Sequence, residues 1–430
     1  MGIFNLFGNK KNEAQSEEEQ AKALELQKQK AKEEAKKAHE ELDWPVIMRL
    51  NPVNTKDANG DVMEETVSPE RKEEVGALIY EDELDSVTLG ELTGQELLFL
   101  LTAMEMFNKK APLEGFEKNH RKVYNEVLAR IRDAEYLYVL YDQTTGYPFI
   151  DHGFASVYFE QELADKAAEL FNKQFRKLTA RKCLVDDKDN KTGKKIGFFD
   201  FLYYTGIENL IIDNGAYRAR FKRNEIVAAP GEWGQGGVMS NPINPALNFS
   251  MLDFLEEARW PVKYEKRDEV LKAKEMRMLS FIRSGQFIVP MQHDGNAETM
   301  EDGRIKLTKE TRIRFLVMKT QDDKQFLPVF TDGFEFAKLA EAKEWNAGVF
   351  RYQDILKFVQ DKDGIRINPN GQSIVLTKDR MMALEMAGQQ ADMFRMKNQV
   401  GQAAAASADG AVQQALNQAM AKMREENNNQ

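Results

Sequence analysis

FLPVFTDGFEF, residues 326–336, and GIRINPNGQSIVL, residues 364–376, are the two stretches on which the fold reading turns. The first begins with an apolar run, 326–330, of the length of a buried strand. It turns at Gly333 and continues over 334–342 with the helical spacing of Phe336, Leu339 and Ala340. The second breaks at Gly364 and reads as two strands, 365–368 and 373–377, joined as a hairpin around Asn370-Gly371. Outward from these, 287–290 and 313–318 read as further strands and 352–359 as a helix. Short strands interleaved with helices predict an α/β (α+β) fold, a mixed sheet with helices packed on it.

The same pieces recur upstream. Residues 147–154 read YPFIDHGF and 327–334 read LPVFTDGF, which sets Pro148, Gly153 and Phe154 opposite Pro328, Gly333 and Phe334. Asp200-Phe201-Leu202 answers Asp354-Ile355-Leu356, and Asn214-Gly215 answers Asn370-Gly371, at a shorter spacing. The first copy therefore carries an insertion, placed in the charged stretch 186–195. Strands at 136–141 and 148–151, helices at 161–178 and 199–204, and a hairpin around Asn214-Gly215 complete it. Proline fixes φ at a strand position and glycine opens a turn, so the repeated Pro148, Pro328, Gly153 and Gly333 read as structural, and Phe154 and Phe334 as core residues. The predicted organisation is a charged helical extension (1–43), a first module with its N-terminal extension (44–229), a Gly/Pro linker (230–246), a second module (247–381) and a helical tail (382–430).

Taken in order, the helix ending near Ser284, QFIVP at 286–290, the 326–336 run, the helix bearing Asp354, and the Asn368-Pro369 and Gly371 of the second hairpin resemble the SseB family (enhanced serine sensitivity protein), N-terminal domain, over residues 271–381. The first copy resembles it more distantly: Ile212-Asp213 stands where the second has Asn368-Pro369. The resemblance implies a non-enzymatic accessory protein that acts through protein–protein contacts, without catalytic residues or cofactor. The family name suggests an alternative, a sensor of an amino-acid-like ligand with a pocket between the modules.

The net charge of −10, with Lys and Arg interspersed among Asp and Glu, argues against a nucleic-acid partner. A single cysteine, Cys183, allows no intrachain disulfide and suits a reducing compartment, the cytoplasm. The chain has no apolar run long enough for a transmembrane helix; Ile3, Phe4, Leu6 and Phe7 offer at most a weak membrane contact. The histidines at 39, 120, 152 and 293 lack metal-ligand spacing, and Asp151-His152, adjacent on a strand, would point to opposite faces. Gly231, Gly234, Gly236 and Gly237 lack the Gly-Lys-Ser/Thr of a phosphate loop and read as linker. Residues 10–43 read as a solvated helix dispensable for folding. Beyond Arg380 the chain turns Met-, Ala- and Gln-rich, with Met382, Met386, Met393 and Met396 on one helical face, either packed on the parent domain or offered to a partner.

Overall fold

The computed structural model describes residues 6–46, 66–186, 196–213, 220–229, 242–294, 298–299, 305–306 and 312–393. The chain divides into two compact units, Met1–Glu275 and Met276–Gln430.

Unit 1 opens with α1, Leu6–His39, in the Glu/Lys/Ala/Gln-rich segment. Its end is not solvated as the composition suggests. Ala35 and His39 are buried, His39 Nδ1 lies 3.0 Å from the Tyr80 hydroxyl, and Nε2 lies 2.8 Å from the Phe107 carbonyl. Trp44, just beyond, stacks on Phe107 at 4.8 Å. Next come α2, Pro69–Gly76, capped by Ser68, and α3, Ser86–Glu91, capped by Asp85. In α4, Gly94–Lys110, Thr93 and Glu96 form a capping box ahead of the wholly buried run Leu97–Leu101. The amphipathic α5, Phe116–Arg132, buries Val123, Val127 and Ile131.

The sheet of unit 1 follows: β1 (Tyr136–Asp142), β2 (Tyr147–Pro148), β3 (Ile150–Asp151), β4 (Phe154–Tyr158), α6 (Gln161–Lys173), β5 (Leu178–Leu184), α7 (Phe198–Thr205), β6 (Asn209–Ile212), β7 (Arg220–Lys222), α8 (Arg223–Ile226) and α9 (Pro245–Arg259). β5 and β4 flank β1 antiparallel, β6 runs parallel to β4, and β7 returns antiparallel to β6. β2 hairpins onto β1, and β3 onto β4. His152 and Gly153 form the two-residue β3–β4 turn with φ of 49° and 88°, the sign of a type I′ hairpin. Because His152 sits in that turn and not on a strand, its Nδ1 swings back to 3.0 Å from Asp151 Oδ1.

The Gly/Pro stretch 230–246 does not end the first unit. Helix α9 returns to this sheet and buries Leu247, Met251 and Leu252. Glu256 accepts the Ile150 N–H at 3.0 Å, Asn248 donates to the Tyr204 carbonyl at 2.7 Å, and Trp260 donates to the Gln174 carbonyl at 2.9 Å. The unit therefore runs on to Glu275.

The division falls within α10, Arg267–Ser284. Unit 2 continues with β8 (Gln286–Asp294), β9 (Glu298–Thr299), β10 (Ile305–Lys306), β11 (Arg312–Phe315), β12 (Met318–Lys319), β13 (Gln325–Val329), α11 (Gly333–Phe336), β14 (Asn346–Arg351), α12 (Tyr352–Phe358), β15 (Gly364–Ile367), β16 (Ile374–Thr377) and α13 (378–393). β14 and β11 pair antiparallel with β8. β15 runs parallel to β13, which also hairpins with β12, and β16 returns antiparallel to β15. One antiparallel bridge, Ile288 to Phe330, joins the two halves. The expected long helix over 334–342 is a single turn, α11, followed by a 3-10 turn at Ala342–Glu344. No described helix is long and apolar enough to cross a membrane; Ile3 and Phe4 lie outside the described residues.

Candidate functional site

In a mixed sheet, ligands gather where parallel strands end, because the adjoining loops leave a crevice at the carboxyl edge. Among the described residues, unit 2 has one such edge, after β13 and β15. Thr331 and Asp332 leave the first strand, Asn368 and Pro369 the second. Asn368 takes a left-handed conformation, φ 46°, which its short polar side chain tolerates by bonding locally. Its Oδ1 accepts the Thr331 N–H at 3.0 Å and its Nδ2 donates to Thr331 Oγ1 at 2.9 Å. Thr331 Oγ1 donates to Asp332 Oδ2 at 2.9 Å, and Asp332 Oδ1 caps α11 by accepting the Glu335 N–H at 2.8 Å. Thr331, Asp332, Glu335 and Asn368 are all buried. Lys338 pairs with Glu335 at 2.6 Å and lies 4.5 Å from the centroid of the Phe334 ring.

Unit 1 also has a parallel pair, β4 and β6, with its own carboxyl edge. Asp213 is also left-handed, φ 47°, and its Oδ1 accepts the Phe159 N–H at 3.1 Å. Its other oxygen accepts from Gln95 Nε2 at 2.6 Å, and Gln95 is held in turn by Thr66. Burial, with a smaller contribution from Glu160, pushes the Asp213 carboxyl up to about 7 against the opposing pull of the Phe159 N–H. A hollow of about 510 Å³ opens beside it, lined by Gly94, Glu126, Arg130, Asp133, Phe159 and Glu160.

Residues 267–383 match the family model described as the SseB protein N-terminal domain. No curated protein and no solved structure matches the chain. The SseB match takes in α10, every strand of unit 2 and the whole Thr331–Asp332–Asn368 edge, and leaves residues 1–266 outside.

Within the matched segment, Pro328 lies on β13 between the β12 pairing at Phe326 and the bridge at Phe330, a place that demands no ladder donor on that side. Gly333 opens α11. Phe334 is only half-buried, and the core aromatic is Phe330, wholly buried and edge-on to Phe336 at 5.3 Å. Asp354 sits in the first turn of α12, where an acid suits the helix dipole, and pairs with Lys357. Pro369 occupies the second position of a turn closed by the Gly371 N–H to the Asn368 carbonyl at 2.9 Å, so the β15–β16 loop is a proline turn and not a two-residue Asn-Gly hairpin.

Outside the matched segment, Pro148 lies on β2 and Gly153 in the β3–β4 turn, so neither holds the place of Pro328 or Gly333. Phe154 starts β4 half-buried under Arg220, not in the core. Asp200 stands in the first turn of α7 with its carboxyl raised by burial. Gly215, with Asn214, lies outside the described residues. Sequence reasoning passed over Gln95 and Thr331, and it named Asp213 only as the residue opposite Pro369. The usable signal was Asp213 itself, an acid closing the apolar run Leu210–Ile212. Among the described residues, no group of three or more His, Cys, Asp or Glu side chains is placed to hold a metal.

Proposed function

We propose that the protein is a non-catalytic accessory protein of the SseB type, working in the cytoplasm through protein–protein contacts, and that unit 1 contains a second, diverged copy of the SseB-like module at 136–222. One observation carries the reading: at both carboxyl edges a side-chain oxygen from just after the second parallel strand is spent on holding main chain just beyond the first. Asp213 and Asn368 each sit left-handed after the second parallel strand, and each turns Oδ1 to the N–H just beyond the first. The pairing senses agree strand for strand, with β5-β1-β4-β6-β7 matched by β14-β8-β13-β15-β16. On this alignment Tyr158 answers Phe330, Asp200 answers Asp354 and Asp213 answers Asn368. The shared words around Pro148 and Pro328 come from turn composition, not from register. An experimental structure in which Asp213 and Asn368 fail to superpose would remove the second copy. For the role, quantitative capture of the chain from its native cells should return a stoichiometric protein partner. Turnover of a metabolite, lost on substitution of one polar side chain, would overturn it.

A further inference from the structure

Helix α13 is fastened to unit 2 by one face only. Met381 is buried, and its carbonyl accepts the Tyr352 hydroxyl at 2.9 Å. Arg283 of α10 reaches Glu385 at 3.1 Å and Asp392 at 2.8 Å. Gly388 lies so close to that guanidinium that a Cβ there would collide with it. The opposite face is open: Met382, Met386 and Met393 are 47%, 58% and 57% exposed. Positions 382, 386, 389 and 393 follow the alternating four- and three-residue steps of a heptad seam, and the sequence keeps that spacing through Met396, Val400 and Ala403. Gln389 is the one polar member.

We propose that this methionine seam is a self-association surface, on which α13 pairs with α13 of a second copy of the chain as a short two-stranded coiled coil. Charge favours a second copy over a different partner. The residues flanking a seam select its partner; here they are Ala383 and Gln390 on one side, Glu385 and Asp392 on the other. In a parallel pair the flank of one helix faces the opposite flank of the other, so Glu385 and Asp392 look onto the neutral Ala383 and Gln390 side of a second copy. Both acids are also held by Arg283 of their own unit, so the flanks meet a second copy without repulsion and present no unspent charge to select a basic helix. Methionine side chains adapt to one another across a symmetric contact, and Gln389 can bond its own mate, fixing register at a cost in strength. The dimer is therefore weak and concentration-dependent.

Sedimentation of the full chain from about 1 to 200 µM should show a monomer–dimer shift. The double substitution Met386→Lys, Met393→Lys should weaken dimerisation about tenfold or more, with the circular dichroism of the wild type and, at about 1 µM where both are monomeric, its unfolding midpoint, since both side chains are exposed. In a Cys183→Ser background, Met386→Cys should cross-link to itself, whereas Ala391→Cys, exposed on α13 but off the seam, should not. A chain that stays monomeric throughout, a dimer indifferent to the lysines, or equal cross-linking at both positions would each overturn the proposal.

Discussion

Replacing Asp213 by asparagine isolates the cost of one buried carboxylate. In the fold its carboxyl holds a proton up to about 7, whereas the ordinary value is 3.8. Below pH 4 the group is neutral in both folded and unfolded chains. Between about 4 and 7 the unfolded chain has released the proton and the folded chain still binds it, so stability falls as pH rises, and above 7 the loss is complete. At about 1.4 kcal/mol for each tenfold difference in proton affinity, that loss is about 4 kcal/mol. Asparagine keeps the shape and the Oδ1 that accepts the Phe159 N–H, as Asn368 does in unit 2, and does not ionise. Its amide requires Gln95 to turn its own amide over, which the Thr66 hydroxyl can follow by accepting in place of donating. Urea unfolding of both proteins from pH 4 to 8, followed through Trp44 and Trp260 of unit 1, should give near-equal stabilities at pH 4. The variant should be ahead by up to about 4 kcal/mol at pH 8. A difference that does not change with pH, or a variant weaker at pH 8, would refute the reasoning.

Phe330→Ala should cost unit 2 about 3–5 kcal/mol, as for a wholly buried aromatic, whereas Phe334→Ala should cost under about 2 kcal/mol; chemical denaturation ranks them. A chain begun at residue 28 should melt like the full chain. One begun at residue 44, which loses His39 and Ala35, should melt several degrees lower, by about 1–3 kcal/mol in buried hydrogen bonds alone. Asn368→Ala removes the partner of the Thr331 N–H and leaves a side chain ill-suited to positive φ. It should cost about 2–4 kcal/mol, and Asn368→Asp should restore most of that at low pH, measurable in the same denaturation series.

The strands at 326–330, 365–368 and 373–377 were legible because a short apolar or alternating run is closed in each case by turn residues, a signal carried within a few positions. Strand β14 was not, since Asn346, Ala347 and Val349 are exposed on the sheet edge and the hydropathy of NAGVFR does not alternate, although the strand's burial does. The return of α9 to unit 1 was hidden behind a Gly/Pro stretch that reads as a boundary. What decides it is Glu256 on the Ile150 N–H and Trp260 on the Gln174 carbonyl, partners far apart in sequence. The edge network failed for the same reason: Thr331 and Asn368, like Phe159 and Asp213, meet only once the parallel strands are laid side by side. Phe334 was misplaced because helical spacing predicted a full amphipathic helix where the chain makes one turn.

The single bridge between Ile288 and Phe330 gives unit 2 a spine like that of a book. Two main-chain hydrogen bonds of 2.8 Å each are the ladder contacts between the β11-β8-β14 leaf and the β12-β13-β15-β16 leaf among the described residues. The leaves are otherwise held shut by side chains such as Phe287, Val289 and Phe330. Parting them requires breaking few hydrogen bonds, and it would bare the inner edges of β8 and β13 as templates for another strand. The Ile288 and Phe330 amides should accordingly exchange with solvent together, as one opening, ahead of the amides inside either leaf.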